Sequence, residues 1–294
     1  MSDIQATIDA TSTIENRSSG INSSVDISAA LHKVIRARTR PAPASALSNI
    51  TAFGWRALLK IKHLPEQLFD VVITPIMFTV MFTYLFGGAL AGSTTDYLQF
   101  LLPGILAQTV TFTSLYTGVT LNTDISKGIY DRFKSMPIWS PSPIVGAMLG
   151  DVLRYTAASI IVVIIGFIMG YRPEAGIVGI LLSFLLLNVF GLGLGWIFTT
   201  IGLLMRTPGA VMTIGWLVLM PLTFGSNIYV DPETMPGWLQ AFVSVNPVTH
   251  LVSALRGLMA GTATVELIGY ALLAPALLTV VFGPIAMGLY RRKR

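Results

Sequence analysis

From residue 68 onward, long apolar runs alternate with short polar breaks. Six runs, at about 68–87, 98–121, 144–169, 176–203, 209–229 and 267–289, approach or pass the roughly 20 residues a helix needs to cross bilayer hydrocarbon. Backbone groups in lipid must pair within their own segment, so the runs predict helices. The run at 144–169 is the most polar, because Asp151 and Arg154 fall in its first half. Pro75, Pro103, Pro221, Pro275 and Pro284 lie in or beside the runs and predict kinks or short breaks.

A different pattern precedes the runs. Leu47, Ile50, Phe53, Ala57, Leu58, Ile61 and Leu64 fall on one stripe at helical spacing, with Asn49, Arg56, Lys60 and His63 opposite. This predicts an amphipathic helix with a basic polar face, suited to a lipid surface; a packed soluble helix is the alternative. Residues 1–44 are rich in Ser, Thr, Ala and Asn without sustained apolar periodicity, and are expected to form a disordered tail. The expected division is therefore a tail at 1–44, an amphipathic connecting helix at 45–66 and a transmembrane domain at 67–294.

Composition sharpens this picture. The chain of 294 residues is 53% apolar and 11% charged, with mean hydropathy +0.71. A soluble domain carries about 25% charged residues, so a water-soluble globule is excluded. There is no cysteine, which excludes disulfides and thiolate chemistry. The net charge of +5 is explained by its distribution. Seventeen of the 19 Lys and Arg residues fall on one side of the predicted spans, leaving Arg172 and Arg256 on the other. Basic residues stay cytoplasmic, so both termini are expected inside, and no nucleic-acid partner is needed to account for the charge. The terminal Arg291, Arg292, Lys293 and Arg294 read as a lipid-headgroup anchor.

Catalytic sets are missing. The chain lacks the G-x-x-x-x-G-K-[ST] loop that holds nucleotide phosphates, and its three histidines are scattered. No cofactor or metal site is expected in it. Gly191, Gly193 and Gly195 sit in an apolar run and point to close helix packing. Asp151 and Arg154, three residues apart, share a helix face and can pair near the cytoplasmic entrance. Gln108, Thr111 and Ser114 in the second run, Asn188 in the fourth, and Thr213 and Asn227 in the fifth could line a pathway for an amphipathic solute. They could equally bond between helices.

Two connections stand out. In the first, residues 122–137, Asp124 is expected to cap a short helix whose apolar stripe is Ile125, Ile129, Phe133 and Met136. Such a cytoplasmic helix can enter a partner's groove or lie on the membrane. In the second, residues 230–266, Pro236 and Pro247 each suit a first helical turn. Two short helices that dip into the outer leaflet, or lie on it, are predicted there.

These features together resemble the membrane subunit of ABC-2 type exporters over about residues 50–294. Within that family, Asp124-Ile-Ser-Lys-Gly-Ile-Tyr-Asp-Arg-Phe-Lys-Ser-Met-Pro137, Gly150-Asp-Val-Leu-Arg154, Met235-Pro-Gly-Trp238, Asn246-Pro-Val248 and Leu255-Arg-Gly257 look like the daunorubicin-resistance branch. The resemblance implies an all-α polytopic membrane protein with six transmembrane helices, an amphipathic interfacial helix before them, a cytoplasmic coupling helix, and re-entrant extracellular helices after span five. It implies location in a bacterial plasma membrane, a second permease, and a separate cytoplasmic ABC ATPase that holds Mg-ATP. On this reading Ile125, Gly128, Ile129, Asp131, Arg132 and Phe133 contact the ATPase, and Trp238, Asn246, Pro247 and Arg256 belong to an extracellular gate. The function implied is export of a drug-like or lipid substrate.

Other classes remain to be weighed. A polysaccharide-export permease is the nearest alternative within the family. An ion-coupled secondary transporter would be expected to carry a mid-span carboxylate or broken helices. A membrane-embedded lipid enzyme would need a clustered acid, base or metal set at one interface. A pure scaffold would not need the polar span residues.

Overall fold

The computed structural model describes residues 65–129 and 142–292, with side chains from Val72 to Ile129 and from Ile144 onward. The described residues all belong to one compact unit, Ala44–Arg294. The expected tail, residues 45–64 of the expected connecting helix, and Asp131, Arg132 and Phe133 lie outside the described residues, while Pro65 and Glu66 begin the first long helix.

All regular structure among the described residues is helical. Five long apolar helices are α1 (Pro65–Ala91), α2 (Thr94–Ser126), α3 (Ser142–Met169), α4 (Gly176–Leu204) and, at the end, α8 (Val265–Arg292). Between α4 and α8 come α5 (Pro208–Phe224), a 3-10 turn at Pro232–Thr234, α6 (Gly237–Val245) and α7 (Pro247–Ala260). The five long helices each have the length and apolarity to cross a membrane. At 17 residues, α5 is about 26 Å long, just short of the hydrocarbon thickness.

The fifth run therefore stops five residues before its expected end. Gly225 terminates α5, its amide bonding the Pro221 carbonyl, and residues 225–231 are irregular. α2 differs in the other direction. It begins at Thr94, where the Ser93 hydroxyl accepts from the Asp96 amide, and runs to Ser126. Asp124 consequently lies in the last turn of α2 and does not cap a separate helix. Gly128 ends the run with φ +67°, a left-handed backbone that glycine adopts without strain. The five prolines sit inside helices that continue past them, so none makes a break.

The bundle is built around α2, which packs against α1, α3, α4, α5 and α7. Its sides are inverted relative to a soluble protein. Gln108, Thr111, Ser114, Asn122, Asp151 and Arg154 are buried, whereas Tyr84, Leu85, Ile168, Ile177, Leu217 and Val280 face outward. Only an apolar solvent makes that arrangement favourable, because water would penalise the exterior and leave no reason to hide the polar groups.

Glycines let the helices approach. A Cβ on Gly118 of α2 would collide with the backbone of Phe198 in α4, and one on Gly202 would meet the Gly118 carbonyl at 2.5 Å. Added at Gly193, it would meet Pro275 of α8 at 2.5 Å, and at Gly191, Tyr155 of α3 at 2.6 Å. The packing expected of the Gly191, Gly193 and Gly195 run is thus present at its first two members. Gly195 faces Met148 and Thr117 at ordinary contact distances.

Candidate functional site

At the end of the bundle where α2 begins, the irregular segment 225–231 is held by side chains. Arg256 of α7 donates from Nε to the Phe100 carbonyl at 3.0 Å, and from Nη2 to the Asn227 and Ile228 carbonyls at 2.8 and 3.3 Å. Tyr97 of α2 donates to the next carbonyl, that of Tyr229, at 2.9 Å. Three consecutive carbonyls are thereby bonded, as irregular backbone within an apolar surround requires. The guanidinium carbon also lies 3.6 Å from the Phe100 ring centroid. Burial lowers the Arg256 pKa to about 10, with Asp231 opposing the shift, so the group stays charged at neutral pH.

Asn246 works at the same end. Its Nδ2 donates to the Leu222 and Gly225 carbonyls at 2.8 and 2.6 Å, satisfying the open end of α5. Its Oδ1 accepts from the Val248 amide at 2.9 Å, capping α7, where Pro247 takes the first helical position. One side chain thus closes one helix and opens another. Asn227 donates from Nδ2 to the Ser253 hydroxyl at 3.0 Å. Gly104 of α2 makes room for the segment, since a Cβ there would meet the Ile228 carbonyl at 2.9 Å. The four residues assigned to a gate do not all meet: Trp238 is 74% exposed on α6, with Val245 equally exposed.

A second polar cluster lies deeper. Arg154 pairs with Asp151 at 3.2 Å, both nearly enclosed. The other carboxylate oxygen accepts from the Thr117 hydroxyl of α2 at 2.6 Å. Tyr155 lies 3.4 Å from that hydroxyl and donates to the Gly191 carbonyl of α4 at 3.5 Å. The pair read from its spacing is thus the centre of a node joining α2, α3 and α4. Sequence carried no signal for Thr117 or Tyr155, which are 34 residues or more from their partners Asp151 in α3 and Gly191 in α4. Nearer the end of α2, Asn122 donates to the Gly202 and Met205 carbonyls at 2.9 and 2.8 Å, tying it to the end of α4.

The remaining polar candidates have distinct settings. The hydroxyls of Thr111 and Ser114 donate to the Ala107 and Thr111 carbonyls of their own helix, both at 2.7 Å. Asn188 bridges to the Thr156 hydroxyl of α3 at 3.0 Å, and Thr213 is exposed and bonds back to Gly209 at 3.1 Å. Gln108 is buried, lines a cavity, and makes no side-chain hydrogen bond. Ile125 sits in the last turn of α2 against a cluster formed by Ile144, Met148, Leu203, Ala286 and Tyr290. Gly128 and Ile129 follow at the end of the described stretch.

Residues 48–260 match the ABC-2 type transporter family. The chain belongs to that family. It is 46% identical over 273 residues to the daunorubicin resistance ABC transporter permease protein DrrB1 of Streptomyces coeruleorubidus, covering 93% of this chain and 96% of the relative. It is 29% identical over 220 residues to the doxorubicin resistance ABC transporter permease protein DrrB of Mycobacterium tuberculosis, covering 72% and 76%. The probable doxorubicin resistance permease DrrC of that organism is 23% identical over 223 residues, covering 75% and 80%. The protein is therefore an ABC-2 permease and a multi-pass membrane protein. The cap built on Arg256 and Asn246, the ion-pair node and the α2–Gly128 junction lie in the matched region.

Proposed function

We propose that this permease is the membrane half of an ATP-driven drug exporter in a bacterial plasma membrane. The supporting observation is its 46% identity, over nearly the full length of both chains, to a daunorubicin resistance permease. A separate cytoplasmic ABC ATPase burns Mg-ATP, in keeping with the lack of a phosphate-binding loop here. Two permeases and two ATPases form the complex. In this reading α5 is the sixth span, both termini are cytoplasmic, and α6 and α7 re-enter from the outside.

The geometry supplies a route for coupling. α2 has 33 residues, which makes a rod about 50 Å long. Its inner end leads through Gly128 into the stretch containing Ile129, Asp131, Arg132 and Phe133, where the ATPase would dock. Near its outer end, Phe100 and Tyr97 hold the segment that Arg256 clamps. A displacement imposed at the inner end thus reaches the outer cap through one helix, with the Asp151–Arg154 node tying α3 and α4 to it. ATP binding drives the cycle only if the ATP-bound ATPase prefers the outward-open permease.

The test is a drug-efflux assay in cells expressing the permease with its ATPase. Asp131→Ala combined with Arg132→Ala should abolish efflux while leaving the permease in the membrane at wild-type amounts. Unchanged efflux would reject the coupling assignment.

A further inference from the structure

Between α1, α2 and α5 lies a cavity of about 130 Å³, lined among others by Thr74, Phe78, Gln108, Phe112, Met212 and Trp216. α1 and α5 both pack on α2 and hardly touch each other, which leaves a mouth where Trp216 is 39% exposed. Gln108 sits near the midpoint of α2 and is 3% exposed, yet neither its amide nitrogen nor its oxygen makes a hydrogen bond. The hydroxyl of Tyr229 is close enough to interact with Gln108 but falls outside hydrogen-bonding geometry with it. A small rotation could pair the two, but a glutamine amide has two donor hydrogens and two acceptor lone pairs, so most of its capacity would stay unmet. The hydroxyls around it differ, since Thr109, Thr111 and Thr113 are all satisfied by carbonyls of α2. A buried amide without partners is costly unless something else supplies them.

The walls say what that could be. Phe112 and Trp216 lie with ring centroids 5.0 Å apart on one side. Phe78 of α1 also lines the cavity, stacked at 5.6 Å on Phe82, which lies outside the lining. Three aromatic rings in the lining, Phe78, Phe112 and Trp216, with a buried amide free to bond, suit a flat ring carrying an oxygen. Size narrows the choice. A cavity of about 150 Å³ accepts a benzene, whereas a drug-sized molecule needs at least about 300 Å³. The space therefore takes one ring, and the remainder of any larger molecule must emerge between α1 and α5.

We propose that this cavity is a binding subsite for an oxygen-bearing aromatic ring at one end of an amphipathic molecule, with Gln108 as its hydrogen-bonding anchor. Its lining comes from one chain, so each permease of a pair carries a complete site. The physiological meaning rests on the exporter reading, but binding itself does not.

The full-length permease, purified in detergent without ATP or ATPase, provides the test. The probes are 2-naphthol and naphthalene, which differ only in the hydroxyl. Binding of each probe is read by equilibrium dialysis, and energy transfer from Trp216 to 2-naphthol, taken as the difference between wild type and Trp216→Phe, places that probe in the cavity. Saturable 2-naphthol binding is expected, weakened about tenfold by Gln108→Leu, the scale of one net hydrogen bond. Naphthalene affinity should not fall in that variant. Equal 2-naphthol affinity in Gln108→Leu, or uptake that never saturates, overturns the assignment and leaves the cavity to water. Should Gln108→Leu not fold, Met212→Trp decides the matter by filling the space from α5: saturable binding should vanish, and its survival overturns the proposal. Efflux measured separately in cells keeps the two readings apart. Efflux without this binding removes the site and keeps the exporter, and binding without efflux alongside the ATPase does the reverse.

Discussion

Arg256 holds Phe100 twice: its guanidinium carbon lies 3.6 Å from the ring centroid, and its Nε donates to the carbonyl of the same residue. Arg256→Met removes that contact and leaves the Phe100, Asn227 and Ile228 carbonyls without this donor. Phe100 keeps its helical backbone donor, but the Asn227 and Ile228 carbonyls lie in irregular backbone and cost roughly 1–3 kcal/mol each when orphaned, so a loss on the order of 3 kcal/mol is expected. The purified variant should show a lower thermal midpoint, and Arg256→Lys, a point charge without the planar fork, should recover only part of it. With its pKa near 10, Arg256 stays protonated from pH 6 to 8, so its contribution should be flat across that range.

Gly104→Ala places a methyl group 2.9 Å from the Ile228 carbonyl. The segment must shift, with a strain of roughly 1–3 kcal/mol. Drug efflux should fall while the amount of folded permease in the membrane stays near wild type. Wild-type efflux would mean that the close approach of α2 to this segment carries no functional weight.

The ion-pair node predicts a non-additive cycle. Asp151→Asn leaves Arg154 buried without its counter-charge, at a cost of about 3–5 kcal/mol. Replacing both, as Asp151→Leu with Arg154→Met, should cost much less than the single change. Thermal unfolding of Asp151→Leu, Arg154→Met and the double variant measures this, and additive losses would show that the two charges act separately.

Gly128 tests the joint between α2 and the coupling stretch. Among the described residues a Cβ added there meets nothing within 4 Å, but φ is +67°. Gly128→Ala should therefore cost about 1 kcal/mol through the backbone alone. Gly128→Asn, which tolerates that conformation better, should cost less. Efflux should follow the same order, and indifference to both changes would remove the joint from the coupling route.

The sequence made the bundle legible where structure follows local pattern. The run 176–203 became Gly176–Leu204 because polar loops bound it at both ends. The run 209–229 overshot because Gly225, Ile228 and Tyr229 are apolar enough to extend it. What ends α5 there is Asn246, whose amide takes the Leu222 and Gly225 carbonyls from 24 and 21 residues away. Distance in sequence hid the outer cap in the same manner. Arg256 looked like an isolated cation on the less basic side, and its bond to Phe100 spans 156 residues. Asp151 and Arg154 were readable as a pair because three residues on a helix is a local relation. Thr117 was not, because only the fold brings α2 beside α3. Polar character alone did not separate Gln108 from Thr111 and Ser114. What distinguishes them is that a hydroxyl reaches the carbonyl one turn back, while the Gln108 amide makes no such bond.

The most direct test of the account is daunorubicin uptake into inside-out proteoliposomes. The permease reconstituted with its cognate ATPase should accumulate the drug on addition of Mg-ATP, and the permease by itself should not. Accumulation by the permease alone, or accumulation that collapses with a proton gradient while ATP is held constant, would contradict a conduit driven by a separate ATPase.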